Sequence, residues 1–67
     1  MSSNQIVEKF EEIKILVEEI EGDVHKNARG NSSAGVRARK ALRELKKSAS
    51  ALVKLTLTEE KARKGKD

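Results

Sequence analysis

The residues best suited to chemistry in this chain are cations that follow a short glycine- and serine-rich segment. Seven of them lie in a stretch whose single acid is Glu44: Arg29, Arg37, Arg39, Lys40, Arg43, Lys46 and Lys47. The segment from Gly30 to Ser33 is typical of a turn that leads into a helix. Backbone N–H groups at a helix start can bind phosphate, and the planar guanidinium of arginine suits phosphate oxygens. The pattern therefore predicts a surface for the backbone of a nucleic acid.

Charge is divided unevenly along the 67 residues, although the net charge is only +4. Residues 1–24 hold two cations and seven acids, for a net charge of −5. Residues 25–54 hold nine cations and one acid, for a net charge of +8. Two helices of opposite charge would attract each other and leave one positive face outward.

Other kinds of chemistry lack the residues that they need. The chain has no cysteine and one histidine, His25, so no familiar zinc site is expected. The stretch from Gly30 to Gly35 has the outline of a nucleotide-binding loop, but Val36 stands where that loop requires lysine. We expect no enzyme, no metal, no cofactor and no small-molecule substrate. No apolar run of about 18 residues and no signal peptide are seen, so we expect no membrane partner and a cytoplasmic protein.

Two long helices must position the cations, and the sequence predicts them at about residues 3–28 and 33–63. The first has an apolar seam with alternating spacings of four and three: Ile6, Phe10, Ile13, Val17, Ile20 and Val24. The seam of the second helix begins at Ala34 or Ala38 and continues through Leu42, Leu45, Ala49, Leu52 and Thr56. A turn at residues 29–32 makes the helices antiparallel. The expected fold is all-α, a coiled-coil-like two-helix hairpin in one domain of residues 1–67, with a frayed basic tail at 64–67.

The turn carries the most specific local predictions. Gly30 is expected to have a positive φ at the end of the first helix. Asn31 is the expected N-cap of the second helix, with Ser32 as the alternative. Gly35 falls in the first turn of that helix, and two interpretations have equal weight. Either a phosphate approaches its backbone closely, or the two helices pack closely there.

Some apolar residues lie off both seams: Val7, Ile15, Leu16, Val53, Leu55 and Leu57. A hairpin of two helices cannot cover all of them. We therefore expect the chain to self-associate, most simply as a dimer with a four-helix arrangement. On a helical wheel of about 100° per residue, the centre of the cationic stripe of the second helix lies opposite its apolar seam.

The stretch GNSSAGVRARKALRELKKSASAL, residues 30–52, resembles the bacterial linker-histone-like nucleoid proteins, a DNA-condensing family first associated with chlamydiae. That family has an acidic amphipathic helix, a pattern like G-N-K-A-A-x-x-R-x-R, and then a lysine-rich helix. The pattern is matched by Gly30, Asn31, Ala34, Arg37 and Arg39, whereas Ser32 replaces the family's lysine. The resemblance covers about residues 5–62 and implies DNA binding, nucleoid association and self-association.

The function expected from the residues and the resemblance is sequence-independent binding of double-stranded DNA. The expected contact residues come from the turn and the second helix: Arg29, Asn31, Ser32, Ser33, Arg37, Arg39, Lys40, Arg43, Lys46 and Lys47. Two alternatives stay open. One is a helical protein-interaction module in which the charges only set the register of pairing. The other is a basic protein associated with RNA or the ribosome, since backbone contacts distinguish duplex types poorly.

Overall fold

A computed structural model describes residues 2–66 of the chain, and the side chains of residues 5–63. It contains two helices, α1 (Ser2–Ala28) and α2 (Ser32–Lys66), which pack against each other as a hairpin. Residues 2–66 contain no strand, so the expected all-α class and hairpin are confirmed. Helix α2 ends at Lys66, three residues later than predicted. Neither helix has a described stretch long and apolar enough to cross a membrane.

The turn between the helices is built from two hydrogen-bonded caps. Gly30 has a φ of 105°, and its N–H donates to the carbonyl of Asn27 at 2.9 Å. The N–H of Asn31 donates to the carbonyl of Lys26 at 3.0 Å, which completes a Schellman motif. The side-chain Oδ1 of Asn31 then accepts the N–H of Ala34 at 2.9 Å, as an N-cap does. The predictions for Gly30 and Asn31 are both confirmed.

The best-packed part of the hairpin lies beside the turn. Of the hydrophobic side chains described, those below a tenth exposed are Ile20, at 5%, Ala34, at 0%, and Ala38, at 4%. The two alanines lie one helical turn apart, so their small side chains let α1 approach α2 closely. Farther from the turn, Ile13 and Leu52 are only half-buried. A core of this size leaves much of the apolar surface of both helices outside.

The structure corrects the predicted seam of α1. Phe10, Val17 and Val24 were expected between the helices, but they are 51%, 49% and 43% exposed. Leu16, expected off the seam, is half-buried. A straight helix drifts by about 20° for every seven residues, and a single partner helix covers only one strip of its surface. The other flank of the apolar stripe therefore stays in contact with solvent.

Candidate nucleic-acid interface

The cations of α2 lie on the side that faces away from α1. Ala38 marks the contact with α1, and at about 100° per residue the stripe centres roughly opposite it. All of these side chains are exposed. We call this surface the basic face, and it consists of Arg39, Lys40, Arg43, Lys46, Lys47 and Lys54. Its position confirms that core and cations occupy separate sides of α2.

The basic face has a shallow open groove near its middle. Ser50 and Ala51 form its floor, and longer cationic side chains stand around them. Four cations line the groove: Arg43, Lys46, Lys47 and Lys54. Long side chains around short ones give a concave surface whose rim is positive. Such a surface can receive a chain of phosphates.

Lys54 belongs to this groove but lies outside the ten predicted contact residues. It follows Lys47 by seven residues and Arg43 by eleven, so it falls on the same side of α2. That spacing is the signal in the sequence that identifies it. The groove thus reaches about two helical turns beyond the predicted site.

None of the six basic-face cations has an acid within ion-pair distance among residues 5–63. In α1, by contrast, Lys9 lies 3.7 Å from Glu12, and Lys14 lies 3.5 Å from Glu11. The unpaired charges of α2 leave a continuous positive surface. Its guanidinium and ammonium groups make no hydrogen bond to another group of residues 5–63.

The turn provides a second set of donors. The N–H groups of Ser32 and Ser33 have no protein acceptor within the described part of the chain. Those of Asn31 and Ala34 are used in the caps, as is the side-chain oxygen of Asn31. Arg29 is exposed beside them. At this end, Arg29 and the two serines are therefore free to meet an anion, while Asn31 holds the turn in shape.

Arg37 differs from the other predicted contact residues because it reaches across to α1. Its Nη2 and Nε lie 3.0 and 3.2 Å from Oδ1 of Asp23. The Arg37 side chain is 55% exposed, and that of Asp23 is 25% exposed. Arg37 thus joins the two helices, and its charge is partly balanced before any ligand arrives.

Gly35 is buried at the contact between the helices. A Cβ atom at this position would overlap the side-chain amide of Asn27 and lie 3.2 Å from Nη1 of Arg39. The N–H of Gly35 donates to the carbonyl of Asn31 at 3.2 Å, so it is not free for a phosphate. Of the two interpretations of Gly35, the structure supports close packing of the helices.

Acidic and histidine side chains do not assemble into a metal site within the described residues. His25, the one histidine, lies on α1 with its Nε2 3.9 Å from a carboxylate oxygen of Glu21. Both side chains are mostly exposed. This pair is an ordinary surface contact between neighbouring turns of one helix.

The fold and this surface define a small all-helical protein with a packed hairpin and one polycationic face. A family model described as Histone H1-like protein Hc1 matches residues 7–62, which include most of both helices and the whole turn. The chain belongs to this family of histone H1-like, DNA-binding nucleoid proteins. The resemblance seen in the sequence is therefore confirmed. No curated protein and no solved structure gave a significant match.

Proposed function

We propose that this chain binds double-stranded DNA without reading its sequence, as a small nucleoid-associated protein. The observation that carries the proposal is the basic face, whose groove has four cations around Ser50 and Ala51 and no acid on its lining. Phosphates of the DNA backbone would lie along this groove. Membership of a histone H1-like family supports the same function.

The length of the groove suits several phosphates of one strand. Arg43 and Lys54 are eleven residues apart, which is about 16 Å along a helix at 1.5 Å per residue. One strand of duplex DNA has a phosphate about every 3.4 Å along the axis, so about five phosphates span that length. Four cations on the groove can therefore neutralise about four phosphates per protomer.

The side chains of this surface favour backbone contact over recognition of bases. Lysine and arginine on an open groove can follow phosphates, but phosphate contacts carry no sequence information. The single aromatic residue of the chain, Phe10, lies on α1, so the basic face has no aromatic side chain on which to stack a base. Binding should therefore be indifferent to sequence.

The turn supplies a further anchor at one end of the face. Arg29 and the N–H groups of Ser32 and Ser33 would hold one more phosphate at the N-terminus of α2. Arg39 and Lys40 would continue from there to the groove at Arg43. Arg37 contributes less than its neighbours, because a phosphate must compete with Asp23 for it.

The acids of α1 orient the protein on the duplex. Residues 1–24 carry a net charge of −5, and phosphates repel that side of the hairpin. The lowest-energy approach places α2 against the DNA and α1 away from it. Opposite charges on the two helices thus select one orientation without any specific contact to α1.

The experiment that tests this function is a salt titration of binding to random-sequence duplexes. The four groove cations alone give a slope of log K against log salt of about −3.6, and phosphate contacts from Arg29, Arg39 and Lys40 make it steeper. Affinity should be equal for duplexes of unrelated sequence. Binding that does not change with salt would contradict phosphate contact, and a strong preference for one sequence would contradict the non-specific mechanism.

Competition with duplex RNA and with rRNA fragments, in the same assay, distinguishes a DNA-binding protein from an RNA-associated one. An A-form RNA duplex has the same phosphates as DNA in a different geometry. The competition therefore measures how well the duplex fits the basic face as well as how strongly its charge is attracted. We expect duplex DNA to compete at least as well as RNA. An RNA that displaces DNA at a much lower concentration would favour an RNA-associated protein instead.

A folded wild type that binds neither nucleic acid at low salt would favour the protein-interaction alternative. The exposed apolar residues of the hairpin are the observation on which that alternative rests.

A further inference from the structure

The groove of the basic face contains one hydroxyl group, that of Ser50, which is exposed on its floor. The Ser50 side chain makes no hydrogen bond within residues 5–63. By contrast, the hydroxyls of Thr56 and Thr58 donate to backbone carbonyls at 2.7 and 2.9 Å. The four cations that line the groove also have no acid within ion-pair distance in this part of the chain. A free hydroxyl therefore lies among four unpaired positive charges.

We propose that Ser50 is a phosphorylation site, and that its phosphate closes the groove to DNA by pairing with the surrounding cations. The donor is ATP, and the enzyme is a serine kinase that recognises cations before its acceptor. The Oγ of Ser50 forms a bond to the γ-phosphorus of ATP, the bond from that phosphorus to the bridging oxygen breaks, and ADP leaves. The hydroxyl proton passes to a base of the kinase. The effect on DNA rests on the proposed function, whereas the modification and the internal pairing do not.

The helical period places three lysines within reach of a phosphate on Ser50. Lys46 and Lys47 precede this residue by four and three positions, and Lys54 follows it by four. Residues at these spacings are neighbours on a helix surface, with Cβ atoms roughly 5–6 Å apart. Arg43 lies two turns before Ser50 and only about 20° around the helix from it. A phosphate on Ser50 would therefore lie at the centre of the four cations.

A phosphate at this position would cancel about half of the positive charge of the groove. Phosphoserine carries about −1.5 to −2 at neutral pH and has three strong acceptor oxygens. The lining has four cations and no acid, so its charge would fall from +4 to about +2. Ion pairs with the phosphate would also occupy lysines that otherwise contact DNA. Phosphorylation therefore removes DNA contacts through both charge and occupancy.

The other hydroxyls of α2 beyond its first turn lack this combination of exposure and surrounding charge. Ser48 is half-buried and lies roughly 160° around the helix from Ser50. Thr56 is half-buried and follows the buried Ala38 by eighteen residues, which places it on the side that faces α1. Thr58 is exposed, but its hydroxyl already donates to a backbone carbonyl. Ser50 is therefore the hydroxyl of this helix whose modification acts on the groove.

The segment around Ser50 suits a kinase in its sequence and in its packing. Lys47 is three residues before the hydroxyl, where an acid of the kinase can pair with it. A kinase binds its substrate segment in extended form, so α2 has to open locally. Leu52, two residues later, is only half-buried, whereas Ala34 and Ala38 beside the turn are fully covered. Fewer buried contacts make local opening less costly around Ser50 than beside the turn.

The modification is tested on the full chain, with ATP and a protein kinase that requires a cation three residues before its serine. We expect uptake of a single phosphate, which fragment mass spectrometry should place on Ser50. Ser50→Ala is the matched control and should abolish the uptake. A chain that takes up no phosphate, or takes it up on other residues alone, would overturn the inference.

The internal pairing is tested without DNA, by phosphorus NMR of the chain synthesised with phosphoserine at Ser50. Cations beside a phosphate favour its dianion, so the second pKa of this phosphate should be lowered. The matched control has phosphoserine at Ser48, on the other side of α2. Circular dichroism checks that both chains are helical. Equal pKa values for the two phosphates would overturn the pairing.

The effect on DNA is measured by fluorescence anisotropy with a random duplex. Loss of two phosphate contacts, at roughly eightfold each in 0.1 M salt, predicts at least about 60-fold weaker binding for phosphoserine at Ser50. The slope of log K against log salt should flatten by about 1.8. Phosphoserine at Ser48 adds the same charge about one Debye length from the groove, so affinity should change less than about threefold.

The outcomes separate this inference from the function on which its last part rests. Equal losses of affinity for the two phosphorylated chains would overturn the closing of the groove. An unmodified chain that binds no duplex at low salt would overturn the proposed function and the effect on DNA together. In that case, phosphate uptake at Ser50 and its lowered pKa would still support the modification and the internal pairing.

Discussion

The outward faces of the two helices have opposite charges and use them differently. On α1, Lys9 and Lys14 lie 3.7 and 3.5 Å from acids three residues away, so these two cations are paired although residues 1–24 keep a net charge of −5. On α2, the basic face has no acid within ion-pair distance among the described residues. Charge density alone therefore does not identify a binding surface. A face of paired charges mainly keeps a helix solvated, whereas a face of unpaired cations attracts a polyanion.

The two helices also differ in how they use glycine. Gly22 of α1 is exposed, and a Cβ atom there would have no neighbour within 4 Å. Gly35 of α2 is buried, and a Cβ atom there would overlap Asn27. The glycine of α1 only weakens its helix, while the glycine of α2 allows the helices to meet.

The largest expected effect comes from removing cations from the basic face. In Arg43→Gln/Lys47→Gln/Lys54→Gln, three phosphate contacts are lost. With a slope of about −0.9 per contact, each loss costs roughly eightfold in affinity at 0.1 M salt, so we expect a loss of about 500-fold for the three. The salt dependence should flatten by about 2.7 units of slope. Both quantities are measured by fluorescence anisotropy with a random duplex.

The control for this triple variant removes acids from the other helix. Glu8→Gln/Glu18→Gln changes two exposed acids of α1 that have no ion pair among the described residues, and we expect less than about a threefold change in affinity with an unchanged slope. Equal effects of the two variants, after correction for sign, would mean that net charge controls binding rather than the basic face.

The same substitution at Gly35 and at Gly22 should change stability in opposite directions. Gly35→Leu should lower the free energy of unfolding by about 1–3 kcal/mol, because the added side chain must displace the side chains of Asn27 and Arg39. Gly22→Leu should raise it by roughly 0.5–1 kcal/mol, because leucine is the better helix former and the site is open. Urea unfolding at one fixed protein concentration measures both, since self-association would shift apparent stability.

The DNA affinity of folded Gly35→Leu separates the two interpretations of this residue. We expect the wild-type salt dependence, because the N–H of Gly35 is already bonded to the carbonyl of Asn31. A variant that unfolds like the wild type but binds DNA weakly would instead place a phosphate at Gly35.

Local chemistry made part of this molecule predictable from sequence. The positive φ of Gly30 and the cap at Asn31 follow from turn preferences that act over a few residues. The basic face follows from the run of cations on a helix of known period. The rotation of α1 about its own axis could not be predicted from the sequence. This rotation leaves Phe10 and Val17 outside the contact between the helices. That rotation depends on packing against Ala34, a contact between distant positions that the apolar spacing of α1 alone does not encode.

The ion pair between Arg37 and Asp23 could not be predicted from the sequence for the same reason, because it joins positions fourteen residues apart. Among residues 5–63 it is also the one ion pair that joins the two helices. Asp23 of α1 forms an ion pair with Arg37 of α2. Removing this acid therefore tests whether ion pairing limits the contact of a cation with DNA.

The smallest expected effect comes from Asp23→Asn, which releases Arg37 from its acid. The pair is partly exposed, so its loss should cost only about 0–1 kcal/mol of stability. The freed guanidinium should add one phosphate contact, which raises affinity by up to roughly eightfold at 0.1 M salt and steepens the slope by about 0.9. Glu19→Gln is the matched control, because it removes one exposed acid of α1 that is not paired with Arg37. If both variants gave the same slope as the wild type, Arg37 would already contact DNA despite Asp23, and pairing across the helices would not limit the basic face.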